Sequence, residues 1–158
     1  LLLVALWAWQ SAVVRGTDYT PAEGVVGWLG MLKEYSVPCC LCGGTTLDKA
    51  GAEQVLESAG LRDYFDACVT AEDGCETTEQ GYLVGAIKLR RPPMRCVVFE
   101  DEPKGVVAAH EATAKAVAVM SGSAATGGDM RLADMRVSDF DDLSLMSLRE
   151  LFKDAPPV

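Results

Sequence analysis

The 158-residue sequence predicts an α/β domain: a Rossmann-like parallel sheet with helices packed on both faces. Three observations carry the prediction. Short runs such as RCVVF (Arg95–Phe99) and AVAVM (Ala116–Met120) are almost continuously apolar and lack the in-out alternation of a half-exposed strand, which suits strands covered on both sides. Stretches with apolar residues at helical spacing lie between successive runs. Turn residues punctuate the joins, among them Gly43-Gly44, Gly60 and Pro92-Pro93.

The chain opens on LLLVALWAWQSAVV, Leu1 to Val14, in which 12 of 14 residues are apolar. A membrane-spanning helix needs roughly 18 or more such residues, and a signal peptide needs a basic segment before the run. The run is therefore expected to be a helix, apolar nearly all round, enclosed by another protein or by a preceding part of the chain. Trp7 and Trp9 would be its anchors, and contact with a membrane stays open. Residue 1 is Leu, so the chain reads as the C-terminal part of something longer. The expected division is a remnant or interface segment over 1–20 and an α/β core over 21–158.

Within that core, Ala22 to Tyr35 is expected to be a helix with Val25, Trp28, Leu29 and Leu32 on one face. Val37 to Cys42 is a strand ending in Gly43-Gly44. Thr45 or Thr46 would cap a helix from Leu47 to Ala59, with Gly60 as its stop. Asp66 to Thr70 is a short strand, and the polar stretch AEDGCETTEQ leads into a helix ending near Leu89. Pro92-Pro93 precedes the strand Arg95–Phe99, which stops at Glu100-Asp101. A helix from Gly105 to Ala114, the strand Ala116–Met120, a Gly- and Ser-rich loop from Ser121 to Gly128, a short strand near Met135–Val137 and a helix from Leu145 to Phe152 complete the pattern. Val37–Cys42, Arg95–Phe99 and Ala116–Met120 are expected to be parallel neighbours.

Composition narrows the function. Fourteen Lys and Arg against 23 Asp and Glu give a net charge of -9, which repels a phosphate backbone and argues against nucleic acid as a partner. Cys39, Cys40, Cys42, Cys68, Cys75 and Cys96 show no zinc spacing, and His110 is the single histidine. They read as small core hydrophobes, in keeping with a reducing compartment.

In a parallel sheet, ligands gather at the carboxyl ends of the strands. Three loops qualify here: Gly43–Thr46, Ala71–Gln80 and Glu100–Gly105. Two carboxylates directly after a buried strand, Glu100 and Asp101, fit either a magnesium site or the cap of the following helix. The start of the helix after Gly43, with Gly44 and Thr45, offers backbone N–H groups to a phosphate.

The run RCVVFEDEPKGVVAAHEATAKAVAV resembles the fourth motif and following helix of the haloacid dehalogenase-like hydrolases, in particular phosphatases and phosphomutases of the beta-phosphoglucomutase type. GVVGWLGMLKEYSVPCCLCGG, LESAGLRDYFDACVTAED and LADMRVSDFDDLSLMSLRELF resemble neighbouring segments of that family in order and spacing. The resemblance covers about 130 residues, Pro21 to Phe152. It looks closest to plant and algal members, which implies a plastid, with the cytoplasm as the alternative. It also implies that the family's first strand and most of its cap lie outside this sequence.

The resemblance further implies a set of catalytic residues that this chain largely lacks. The family places a nucleophilic aspartate, with a second aspartate two residues on, at the end of its first strand. Asp18 has no apolar strand before it, and Asp139 and Asp141 fall in the C-terminal segment, so no catalytic residue is assigned. The second motif's Ser or Thr is replaced by Gly43, and the third motif's lysine is absent, since no Lys or Arg occurs between Ala71 and Tyr82. Glu100 and Asp101 alone match, as the magnesium end. Two functions follow as expectations. One is a non-catalytic hydrolase-like module, a structural or protein-binding subunit of a larger assembly that contains other protein subunits. The other is a magnesium-dependent phosphatase or phosphomutase acting on a small phosphorylated metabolite, with its nucleophile supplied from a preceding part of the chain.

Overall fold

The computed structural model describes residues 4–8, 14–15, 19–44, 46–120 and 129–154. Its strands, in chain order, are β1 (Val4–Ala8), β2 (Val14–Arg15), β3 (Thr20–Pro21), β4 (Cys39–Cys42), β5 (Ala67–Val69), β6 (Cys96–Glu100), β7 (Lys115–Val119) and β8 (Met135–Val137). Six of them form one sheet in the order β5-β4-β1-β6-β7-β8, every pair parallel. β2 and β3 make a separate antiparallel pair. The helices are α1 (Val25–Glu34), α2 (Lys49–Ser58), α3 (Thr78–Lys88), α4 (Pro103–Glu111) and α5 (Leu145–Glu150).

The N-terminal run is where structure and sequence reading part. The helix expected over Leu1–Val14 does not form at Val4–Ala8, which instead is the middle strand of the sheet, with Ala5 opposite Cys39 on one side and Val97 on the other. A strand hydrogen-bonded on both edges in the middle of a parallel sheet suits an unbroken apolar sequence, the same composition that an enclosed helix needs. Val4–Ala8 is thus part of the α/β core, and the central strand expected to lie outside the sequence is supplied by this run. Trp7 pairs by register with Leu41 and Phe99 inside the sheet; Trp9 lies outside the described residues. β1 also separates β4 from β6. Of the three strands expected to be neighbours, all are parallel but only β6 and β7 are adjacent.

Alternation along the strands sorts the core into two layers. Cys39, Leu41, Val97, Phe99, Val117 and Val119 face α1, α2 and α5, where they meet Trp28, Leu29, Leu32, Val55, Leu56 and Leu148. Phe99 holds the centre of this layer, with Trp28 edge-on at 6.2 Å and Phe140 at 5.9 Å. Cys40, Cys42, Cys96, Val98, Ala116 and Ala118 face α3 and α4, where they meet Tyr82, Ala86, Val106 and Ala109. Each fully buried Leu or Val contributes about 1.5–3 kcal/mol, so both layers are needed to hold the sheet.

Local signals set the helix ends. Asp48 caps α2, its carboxylate accepting from Gly51 N–H at 2.7 Å. The cap is therefore not Thr45 or Thr46: Thr46 instead donates to Gly43 C=O at 3.3 Å, and Thr45 lies outside the described residues. Gly60, at φ +67°, follows the C-cap of α2 as expected. Thr77 caps α3, and Ser144 and Ser147 form a reciprocal box at α5. All six cysteines are free, five of them buried. Burial pushes the Cys68 thiol up to about 11 and the Cys96 thiol up to about 12, the signature of structural rather than reactive sulfur. Among the described residues, no helix is long and apolar enough to cross a membrane.

Candidate functional site

The carboxyl edge of the sheet brings together the ends of β1, β4, β5 and β6, and each end can be read for the chemistry it offers. β1 has the sequence VALWA and carries no ionisable side chain to this edge. Its last residue, Ala8, pairs with Cys42 of β4, and Trp7 pairs with Phe99, one residue short of Glu100.

At the end of β4, Gly43 donates its N–H to Val69 C=O at 2.8 Å, which holds the loop against β5. A Cβ at Gly43 would stand 2.6 Å from Leu47 Cβ and 3.1 Å from Val69 O. Leu47 therefore occupies the space that a serine or threonine would need. A hydroxyl-bearing side chain at residue 43 would collide with Leu47. Gly44 follows at φ +59°, a left-handed turn that suits glycine.

Two N–H groups at the start of α2, downstream of Gly43-Gly44, have acceptors from within the chain. Asp48 takes Gly51 N–H, and Glu72 takes Lys49 N–H with its two oxygens at 3.0 and 3.2 Å. The Thr70 side chain and Lys49 N–H hold the Glu72 carboxyl below its ordinary range, so it stays an anion at this helix start. A carboxylate here occupies the position a phosphate would favour.

The end of β5 has its own closed set. Thr70 N–H donates to Asp73 at 2.8 Å, and Lys88 of α3 meets both Asp73 oxygens at 2.7 and 2.8 Å while donating to Cys68 C=O at 2.7 Å. Burial works to raise the Asp73 carboxyl, and the bonds from Lys88 and Thr70 outweigh it, leaving it low. Beside β5 lies a cleft of about 320 Å³ whose walls include Lys49, Glu53, Arg62, Glu72, Asp73 and Lys88. Arg62 is paired with Glu53 at 2.7 Å and Lys88 with Asp73, so charge in the cleft is largely matched internally.

Glu100 and Asp101 close the edge at β6. β6 runs one residue further than the sequence suggests, to Glu100, and this residue decides the site. As a strand residue, Glu100 follows Cys96 and Val98 onto the α3/α4 face instead of projecting from a loop. There the Tyr82 hydroxyl of α3 donates to Glu100 Oε1, and Asp101 N–H donates to Oε2 at 3.2 Å. A Cβ on Gly105 of α4 would fall on the carboxyl group itself. Glu100 is 4% exposed and Asp101 2%. Burial pushes the Glu100 carboxyl up to about 7 against the Tyr82 hydrogen bond, with the neighbouring Asp101 adding to the rise. Burial likewise lifts the Tyr82 hydroxyl well above its usual value.

Magnesium takes six oxygens in an octahedron and gives up its waters reluctantly. Glu100, as placed, has both oxygens engaged from inside the chain. In this arrangement Glu100 does not fit a magnesium ion. Glu102, not Glu100 or Asp101, stands at the N-cap of α4, and its side chain makes no capping bond. Of the residues singled out from the sequence, then, Gly43, Gly44, Glu100 and Asp101 do share one edge of the sheet, while Thr45 lies outside the described residues. Tyr82, Leu47 and Glu72 were not singled out. Tyr82 had a readable signal, since a tyrosine on the buried face of a helix has to find an acceptor for its hydroxyl.

Residues 4–119 match the family model of the haloacid dehalogenase-like hydrolases. The match begins at β1. The chain is 28% identical over 141 residues to the chloroplastic 5-amino-6-(5-phospho-D-ribitylamino)uracil phosphatase of Arabidopsis thaliana, covering 87% of this chain and 36% of that protein. It is 34% identical over 98 residues to hexitol phosphatase B of Escherichia coli K12, covering 61% of this chain and 44% of that protein. It thus spans less than half the length of these curated relatives. Beta-phosphoglucomutase from Clostridium difficile superposes with a TM-score of 0.69 at 22% identity, covering 84% of this chain and 56% of that one, which shows a shared fold. Strand order, the Glu100–Asp101 strand end and the match over residues 4–119 converge: the chain belongs to the haloacid dehalogenase-like hydrolase family.

Proposed function

We propose that this domain is a non-hydrolytic member of the haloacid dehalogenase-like hydrolase family. The observation that carries the reading is the content of β1. The family's covalent route needs an aspartate at the end of the first strand, and the strand in the centre of this sheet ends in Ala8, followed in the sequence by Trp9 and Gln10. Without a nucleophile no phosphoryl-enzyme bond can form. The remaining positions support the same reading. Leu47 fills the hydroxyl's place beside Gly43, Glu72 holds a start of α2 suited to an anion, and no cation lies between Ala71 and Tyr82. Each lost electrostatic partner of a transferring phosphoryl group typically costs about a hundredfold or more in rate.

A second reading is favoured by the relatives themselves, which are phosphatases by name and span more than this chain. On it, the domain is part of a phosphatase acting on a small phosphorylated metabolite, with magnesium, the usual metal of such enzymes. The chloroplastic relative supports a plastid location in either case. The non-hydrolytic reading is tested directly: incubate the purified chain with p-nitrophenyl phosphate and with a hexose phosphate, with magnesium or with EDTA, and measure released phosphate. The non-hydrolytic reading expects none above buffer. Magnesium-dependent turnover that disappears in Asp101→Asn would overturn it in favour of the phosphatase.

A further inference from the structure

We propose that Glu100 is a structural carboxylate, tied to Tyr82 so as to fasten α3 onto the end of β6, and that this tie occupies the position where family resemblance implies a magnesium ligand. Three contacts enclose the carboxyl group. The Tyr82 hydroxyl donates to Oε1, Asp101 N–H donates to Oε2 at 3.2 Å, and Gly105 brings α4 so close that only a hydrogen fits between its Cα and the carboxylate. These contacts come from α3, from the strand end and from α4, so the carboxylate sits where three elements meet. Tyr82 is 2% exposed, and its ring packs among Cys42, Ala86 and Val98 of the α3/α4 layer.

A cation at this edge would require Glu100 to leave that pocket. The hydroxyl of Tyr82 would then be buried without its acceptor, a loss larger than that of an ordinary exposed hydrogen bond because water cannot replace the partner. Residue choice around the tie is consistent with this role. Glycine at 105 is the one residue that admits the carboxylate, and alternation along β6 aims residue 100 at Tyr82.

The inference rests on the non-hydrolytic reading, yet it can fail separately. It is tested on the whole chain by a double-mutant cycle over Tyr82→Phe, Glu100→Met and the pair, with urea unfolding as readout, and by thermal melts in magnesium chloride against sodium chloride of equal ionic strength. Tyr82→Phe is expected to lower the folding equilibrium constant about ten- to a hundredfold, and the pair to be more stable than the two single losses predict. Glu100→Gln, which keeps an acceptor for Tyr82, should stay folded and serves if Glu100→Met does not. Magnesium is expected to move the melting temperature no further than sodium does. Strict additivity in the cycle would overturn the tie, as would a saturable, magnesium-specific rise in melting temperature that Asp101→Asn or Glu100→Gln abolishes. Magnesium binding without turnover would sink this inference and leave the non-hydrolytic reading standing; metal-independent turnover would do the reverse.

Discussion

Restoring a hydroxyl at residue 43 should destabilise the protein. Gly43 is absent from the glycines with positive φ, so its backbone is open to any residue and only space decides the outcome. In Gly43→Ser the new Cβ would meet Leu47 Cβ at 2.6 Å, Leu47 Cδ2 at 3.0 Å and Val69 O at 3.1 Å. Carbon atoms pack best at about 3.5–4.0 Å, so the two carbon contacts are strongly repulsive. The chain cannot step aside freely, because Gly43 N–H is bonded to the same Val69 oxygen at 2.8 Å. Overpacking of this kind costs about 1–3 kcal/mol, and the smaller entropy of the unfolded variant returns about 0.4–1 kcal/mol of that. The net loss, about 1.3 kcal/mol at the middle of those ranges, corresponds to a fall in melting temperature of roughly 3–5 °C for a chain of this size. Urea unfolding of the wild type, Gly43→Ser, Leu47→Gly and the double variant measures it. Leu47→Gly is costly alone, but in that background Gly43→Ser should cost less than about 0.5 kcal/mol, since the clashing atoms are gone. A variant as stable as wild type, or the same cost in both backgrounds, would refute the account of Gly43.

Glu100 should make stability fall as pH rises. Its carboxyl stands at about 7 in the folded chain against an ordinary 4.5, so between those values the unfolded chain has lost a proton that the folded chain keeps. The contribution is fullest below about 4.5 and is lost as pH climbs through 7, at most on the order of 3 kcal/mol, read as the stability difference between wild type and Glu100→Gln across that range. A flat difference profile would refute the assignment. Asp134 should act with the opposite sign. It accepts from Ala116 N–H at 2.8 Å, His110 at 2.9 Å and Lys115 at 3.0 Å, bonds that outweigh its partial burial and keep its carboxyl low. Asp134→Ala should cost about 1–2 kcal/mol at pH 7, and the gap to wild type should narrow as the solution is acidified below about pH 4, as denaturant melts at both pH values would show.

The parts of the fold that sequence reading reached are those whose residues answer to one local rule. β4, β6 and β7 announced themselves as apolar runs between helices, and each begins and ends within two residues of its expected bounds. Gly60 follows the end of α2 as glycine does, whereas α3 is closed by Arg90 in a left-handed turn at φ +54°, two residues before Pro92. Val4–Ala8 failed because a strand covered on both faces and a helix enclosed on all sides have the same composition, and periodicity cannot separate them. At the site, Gly43 and the absence of Lys and Arg between Ala71 and Tyr82 are legible residue by residue. The fate of Glu100 is not. It depends on β6 continuing for a single residue, which turns the side chain from the edge onto the α3/α4 face, and on Tyr82, whose place on a different element only the folded chain reveals. Glu72 at the start of α2 is a pairing of the same kind, made across two loops that have no common sequence signature.

The central position of β1 has a consequence for how the chain assembles. β1 precedes both of its sheet partners in the chain and must wait for them, since Ala5 lies between Cys39 and Val97. Closing a loop of that span costs entropy before any ladder bond repays it, and sheets dominated by such distant pairings fold slowly. Without β1, the strand order leaves β4 with β5 on one side and β6 with β7 and β8 on the other, each with an unpaired edge where the middle of the sheet lies. Unpaired edges of this kind recruit strands from other chains. Insertion of β1 is thus the event that joins two half-sheets into one, and a nascent chain that misses it exposes two surfaces primed for aggregation.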